Sequence, residues 1–185
     1  TDEKLSFETN FGCVCDKVGS GKSLTILGAI ASEPYLEPSR KVLTCYKGKV
    51  TIYHEVPNIL PVNILVVPHG IINQWVKYLK EDTNLDFEIV KNKKTLDIFK
   101  EDFEAYFEDP EENNANIDKH LYIVTSTFYN KLAPIFNGKT ISRLIVDEVD
   151  SINVKRAEQI KAQFTWFISS SKSILEKPLG EYVYE

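Results

Sequence analysis

The sequence predicts an α/β domain, with a mainly parallel sheet covered by helices and room for one inserted hairpin. Three observations predict it. Short β-branched runs alternate with segments whose apolar residues recur at helical spacing. A Gly-Ser-Gly-Lys-Ser string at 19–23 joins the first such strand to the first such helix. A strand around Ile145 runs straight into Asp147-Glu148-Val149-Asp150. Parallel strands need crossovers of a dozen residues or more, and the intervening helices supply them.

Taken in order, Phe11 to Cys15 is an apolar run closed by Asp16 and predicts the first strand. Ser23 to Ala31 follows with helical composition. Lys41 to Val56 holds two β-rich pieces around Lys47-Gly48-Lys49, which predicts a hairpin inserted between the first helix and the second strand of the main sheet. Asn63 to Val67 is that strand. Ile71 to Lys80 carries Ile71, Ile72, Trp75, Val76 and Leu79 at helical spacing. The alternation continues with a strand at Phe87–Val90, a helix at Thr95–Phe107, a strand at Leu121–Thr125 and a helix around Phe128–Leu132. It ends with a strand at Arg143–Val146, a helix near Val154–Lys161 and a strand at Phe164–Ser169. Asp109 to Lys119 has loop composition. The acidic run Glu101–Glu112 reads as a solvated helix face and loop, because charge runs usually are.

At 185 residues and 43% hydrophobic, the chain suits one domain, 1–185, and is short for two of ordinary size. It begins at Thr1 and contains no methionine, so we expect a fragment of something longer. No apolar stretch approaches the roughly 18 residues of a membrane span, and the N-terminus lacks the basic-then-apolar leader pattern. The expectation is a soluble, intracellular protein with no membrane partner. The three cysteines, Cys13, Cys15 and Cys45, are odd in number, and the first two fall on a strand that reads as buried. Packing is therefore expected of them rather than a disulfide framework or a zinc site. A net charge of −5 leaves no whole-domain basic footprint. That argues against a simple DNA-binding module, and less against a motor that touches nucleic acid along one edge.

The chemistry concentrates in two places. In Gly19-Ser20-Gly21-Lys22-Ser23, the glycines let backbone N–H groups close around an anion and the following helix N-terminus adds its dipole. Lys22 is placed to reach the β- and γ-phosphates of a nucleotide, and the Ser23 hydroxyl to ligate magnesium. A strict phosphate loop has glycine where this chain has Asp16. At the other place, a buried parallel strand ends in carboxylates, which makes physical sense where they meet a cation or solvent at the carboxyl edge of the sheet. Asp147 is the natural second ligand of the magnesium. Glu148 is placed to orient and deprotonate a water for in-line attack on the γ-phosphorus.

These residues carry a resemblance. Phe11 to Ser23, with Asp16 in place of the first glycine, looks like motif I of the superfamily 2 helicases and translocases, closest to the Swi/Snf-type and related viral helicase-like ATPases. Val66 to Trp75, with its Pro68 and its Gln74-Trp75 pair, looks like motif Ia, and Leu121 to Tyr129 resembles motif Ib. Asp147 to Asp150 matches motif II, and Phe167 to Ser171 loosely matches motif III. The resemblance covers essentially the whole chain in the family's order. It implies the first RecA-like lobe of such a motor, a P-loop NTPase three-layer sandwich, with ATP and Mg2+ as cofactors.

By the same resemblance, Asp16, Gly19, Ser20, Gly21, Lys22, Ser23, Leu24 and Asp150 hold the nucleotide, and Ser23 and Asp147 hold the metal. Lys22, Asp147 and Glu148 carry the chemistry. Asp150 couples to the motif III serines Ser169 and Ser171. Pro68, His69, Gly70, Thr125 and Ser126 face DNA or RNA, whereas Trp75 on its amphipathic helix reads as core. Relatives carry an adenine-contacting Gln upstream of motif I, and Thr1 to Asn10 contains none. A second RecA-like lobe downstream is implied as partner and as the source of a stabilising arginine, a group contributing about 10³–10⁵ in rate, so this lobe alone should hydrolyse ATP weakly. The resemblance points to the nucleus or cytoplasm, or for a viral protein to the virion or host cell. Two other readings stay open: a P-loop kinase or GTPase, and a scaffold subunit of a transcription complex that keeps the fold without turnover.

Overall fold

Six strands build one sheet in the order β1-β8-β7-β4-β6-β5, and every neighbouring pair in it is parallel. They are β1 (Phe11–Cys15), β4 (Ile59–Val67), β5 (Phe87–Val90), β6 (Leu121–Thr125), β7 (Thr140–Asp147) and β8 (Lys161–Ser169). The computed structural model describes residues 9–36, 40–46, 49–55, 59–108, 117, 119–152 and 159–171, with 40–46 and 49–55 as backbone only. Strands β2 (Arg40–Tyr46) and β3 (Lys49–Glu55) form the inserted hairpin, antiparallel and in register from Arg40 opposite Glu55 to Tyr46 opposite Lys49. The helices that matter for the site are α1 (Lys22–Ser32), α2 (Ile72–Asp82), α3 (Lys93–Glu108) and α4 (Tyr129–Leu132).

Alternation along each strand divides the core between two faces. Leu65 and Val67 of β4, with Ile123, Ile145 and Ile168, lie under Ile26, Leu27 and Ile30 of α1 and Trp75 and Leu79 of α2. Ile64 and Val66 point the other way, into a cluster with Tyr122, Val124, Leu144 and the α3 stripe Leu96, Phe99 and Phe103. That second layer is aromatic at its centre: Phe99 stacks on Phe103 at 4.4 Å, and Phe136 sits 5.2 Å from Phe103. Helix, sheet and helix thus give the three-layer architecture that the sequence predicts.

The amino edge of the sheet is closed by a polar clamp. Pro61 has no N–H to give the ladder, and the β4–β7 register shifts between Leu60 and Asn63. After the shift, Asn63 lies opposite Arg143, both buried. Arg143 donates to Pro34 O at 3.0 Å and Asn63 Oδ1 at 3.3 Å, and pairs with Glu33 at 3.5 Å. Asn63 Nδ2 donates to Pro34 O at 2.7 Å and His120 O at 2.8 Å, and Ser142 Oγ accepts the Leu36 N–H at 2.9 Å. Burial lowers the Arg143 pKa and Glu33 pulls it back up. The segment after α1 is thereby tied to the middle of the sheet.

Two expectations change. Strand β1 lies at the sheet edge, so Phe11 and Cys13 are exposed and Cys13 is not a packing residue. Its Gly12 is needed all the same, since a Cβ there would sit 2.7 Å from the Trp166 ring. Lys161, expected at a helix end, is the first residue of β8, because Lys161 and Ala162 pair with Thr140 and Ile141 of β7. Residues 153–158 of that expected helix, and most of the expected loop Asp109–Lys119, lie outside the described residues. Among the described residues, no helix is long and apolar enough to cross a membrane.

Candidate functional site

Because all six strands run the same way, their carboxyl ends share one edge, and the glycine loop and the acidic turn both lie there. The loop leaves β1 at Asp16 and enters α1 through Gly19 and Gly21, with φ of 82° and 87°. A side chain at either position would be strained although nothing lies within 4 Å of its place, so the requirement is purely conformational. The Ser20 N–H donates to Lys17 O at 3.2 Å, closing the turn. Lys22 folds back over it, its Nζ donating to Asp16 O at 2.7 Å and Lys17 O at 3.0 Å. Helix α1 has no side-chain cap and no acidic residue in its first turn, which Lys22, Ser23 and the exposed Leu24 begin. Its leading N–H groups therefore have no internal acceptor, the condition under which a helix N-terminus takes an anion.

Two strands away, Asp147 ends β7 nearly buried, at 6% exposure. Its Oδ2 accepts the Trp75 indole N–H and its Oδ1 accepts the Glu148 N–H, both at 2.8 Å. Burial raises its pKa above the ordinary carboxylate value; the Trp75 and Glu148 bonds and the Lys22 charge pull the other way. Glu148 turns the chain with φ of 50°, uncommon for a residue with a side chain. Its pKa is also raised, first by burial and then by Asp147 and Asp150, and lowered by Lys22. Lys22 thus acts on both carboxylates, so loop and acidic turn face each other across β8, at roughly 10 Å for two strand spacings. The exposed Asp150 accepts the Ser169 hydroxyl at 3.3 Å, and Ser169 Oγ accepts the Ser171 N–H at 2.9 Å. A Val149 N–H bond to Ile168 O at 3.2 Å pins the turn to β8.

A second group of expected residues flanks this centre. Val67 lies opposite Thr125, so the segments leaving β4 and β6 are neighbours on the same edge. Pro68 is half-buried, and His69 and Gly70 are exposed in a short 3-10 turn. Thr125 is fully buried with its hydroxyl 3.2 Å from that of Thr127, so of the pair Ser126 is the one that reaches solvent. The structure therefore gathers Asp16–Leu24 with Asp147–Asp150 and the serines Ser169 and Ser171, and sets 68–70 and 125–126 beside them.

What the sequence does not reveal is Trp75's partner. Helical spacing correctly buries it, but an indole N–H needs an acceptor, and the one it finds is 72 positions away. Among the described residues, no three His, Cys, Asp or Glu side chains converge as a metal held by protein alone would need. A magnesium ion asks for less. It keeps waters and substrate oxygens and takes one or two protein oxygens, which a Ser23 hydroxyl and an Asp147 carboxylate can offer.

No family model matches the sequence. A protein of Acanthamoeba polyphaga mimivirus carrying the name "Putative helicase" is 25% identical over 237 aligned positions, covering 98% of this chain and 28% of that protein. Among solved structures, the Sulfolobus solfataricus SWI2/SNF2 ATPase core in complex with dsDNA superposes with a TM-score of 0.51 at 12% identity, over 87% of this chain and 28% of its own. The chain spans about 28% of the length of each. By fold and by sequence likeness together, it is a RecA-type lobe resembling those of superfamily 2 helicase-like ATPases.

Proposed function

We propose that residues 1–185 are the ATP- and magnesium-binding lobe of a nucleic-acid-dependent ATPase, a helicase or translocase that hydrolyses ATP once its second RecA-like lobe closes on this one. One observation carries the reading: an uncapped helix N-terminus with Lys22 at its mouth faces Asp147 and Glu148 across the carboxyl edge of a parallel sheet. The loop N–H groups of Gly19 to Ser23 surround the phosphates, and Lys22 gives up its two carbonyl acceptors to bond their oxygens. Ser23 and Asp147 hold the magnesium, which neutralises charge on the β- and γ-phosphates when bound. Glu148 orients the attacking water and takes its proton. The raised pKa of Glu148 suits a base better than an ordinary carboxylate would. Pro68 to Gly70 and Ser126 meet the nucleic-acid backbone, while Thr125 supports them from inside. The likeness to a core solved with dsDNA supports that last assignment, and the share of each relative covered leaves room for a second lobe.

The test is ATP hydrolysis by the full-length protein with and without DNA and RNA at low salt. Stimulation by one of them is expected, and Lys22→Ala should lower the rate by about 10²–10³-fold, the usual effect of removing one charge-stabilising group. Absence of stimulation by any polynucleotide overturns the motor reading. Full activity in Lys22→Ala overturns the assignment of the site.

A further inference from the structure

Trp75 is the fourth residue of α2 and 1% exposed, so its ring is part of the layer between helix and sheet. A buried indole N–H is usually satisfied by whichever carbonyl or hydroxyl lies nearest. Here it meets the one carboxylate that ends β7, at 2.8 Å. Asp147 therefore carries one donor on each oxygen, the indole on Oδ2 and the Glu148 backbone on Oδ1. Two donors on two oxygens fix the plane of the carboxylate, and each oxygen keeps a second lone pair free. A charge-assisted bond of this length is among the stronger polar contacts a side chain makes.

The other end of the connection is the exposed turn. Pro68, His69 and Gly70 lead into α2 through Ile71, whose N–H donates to Pro68 O at 3.2 Å and closes the 3-10 turn immediately before the helix. Only four residues separate Gly70 from Trp75, about one helical turn. A ligand that shifts the turn shifts the indole, and the indole is bonded to the carboxylate.

Taking the nucleotide and nucleic-acid sites above as given, we propose that Trp75 is a positioning residue that links the turn at Pro68–Gly70 to the metal carboxylate Asp147. It sets the orientation in which Asp147 meets the cation, and through it nucleic acid on the turn changes metal affinity.

The test uses Mn2+ as probe, its binding to the full-length, nucleotide-loaded protein followed by electron paramagnetic resonance, with and without DNA or RNA. In the wild type, nucleic acid should tighten Mn2+ binding. Trp75→Phe keeps the ring and loses the N–H; it should weaken Mn2+ binding by about 10-fold, as loss of a group that orients a metal ligand commonly does, and abolish the effect of nucleic acid. Nucleotide affinity without metal should stay the same. Leu79→Ala, on the same buried face one turn further on, is the control for packing: it should lower stability and leave Mn2+ affinity in place. Equal weakening by Leu79→Ala, or unchanged Mn2+ binding and coupling in Trp75→Phe, overturns the proposal. Should Trp75→Phe not fold, 19F spectra of 5-fluorotryptophan-labelled wild type decide: no indole signal moving with both Mg2+ and nucleic acid overturns it as well. A wild type that binds no nucleotide-dependent Mn2+ refutes the underlying ATP-site reading instead, so the two failures are distinguishable.

Discussion

The two edges of the sheet handle charge in opposite ways. At the amino edge, Arg143 is 3% exposed, yet its guanidinium has a carboxylate, a carbonyl and an amide oxygen around it, and Asn63 is satisfied on both sides. At the carboxyl edge, Asp147, Glu148 and Asp150 crowd into four positions, and Lys22 is the cation whose field reaches the first two. The buried Asp147 and the partly exposed Glu148 both have pKa values pushed up, which means the fold holds them at a cost. Burying a charge is tolerable when its partners travel with it, and a surplus of one sign is kept where a ligand of the other sign will arrive. The amino edge is a structural clamp, and the carboxyl edge has the electrostatics of a site.

If that contrast is right, substitutions at the two edges should separate stability from binding. The largest effect on stability is expected at the clamp. Arg143→Leu fills similar space but strips Asn63 Oδ1 and Glu33 of their donor. It should cost about 3 kcal/mol, at the low end for a broken buried pair because Glu33 is half in solvent. For a domain of this size that is a fall in Tm of about 6–12 °C by calorimetry. Nucleotide affinity, measured well below the transition, should be unchanged. A Tm near wild type with lost binding would place function at the amino edge and break the contrast.

A smaller effect on both properties is expected in the loop. Gly21→Ala adds a Cβ with free space around it, so only the positive φ of 87° resists it. The strain is about 1–2 kcal/mol, or roughly 2–8 °C in Tm. If the loop instead relaxes to a negative φ, the same energy appears as a loss of about tenfold in nucleotide affinity. Melting and nucleotide titration together should show one or the other. A variant with wild-type melting and wild-type affinity would mean that the loop conformation has no bearing on the site.

Much of this arrangement was legible in the sequence because local pattern and global fold agree there. The alternation of strands and helices, the hairpin at 40–55, the glycine loop and the acidic strand end each follow from spacing and residue type. What was not legible depended on partners far along the chain. An apolar run such as Phe11–Cys15 looks the same whether it is central or at an edge, and only the sheet order exposes Cys13. Lys161 follows the helix-forming Lys155-Arg156-Ala157-Glu158-Gln159, and tertiary pairing with β7 overrides that local preference. The clamp needs the register shift after Leu60 to bring Asn63 beside Arg143, and the Trp75–Asp147 bond needs α2 to lie over β7. Neither leaves a trace in spacing.

The smallest effect sharpens the contrast most, because it reads the electrostatics directly. Glu148→Gln keeps the shape of the side chain and removes its charge. In the folded protein the Glu148 pKa lies above its ordinary value, so the ionised form is disfavoured by folding. The cost is fully present above the folded-state pKa, shrinks as pH falls through it, and is gone below the unfolded-state pKa of about 4.3. At pH 7 without nucleotide or metal, Glu148→Gln should therefore melt slightly higher than wild type, by on the order of 1 °C, since the group is partly solvated and much of the repulsion is screened. The difference should vanish as pH approaches 4. A neutral substitution at the clamp has the opposite sign, because there the charge is paired. If Glu148→Gln melts lower than wild type at pH 7, the carboxylates at the carboxyl edge are already compensated from within. The edge would then have no surplus charge for a cation to meet.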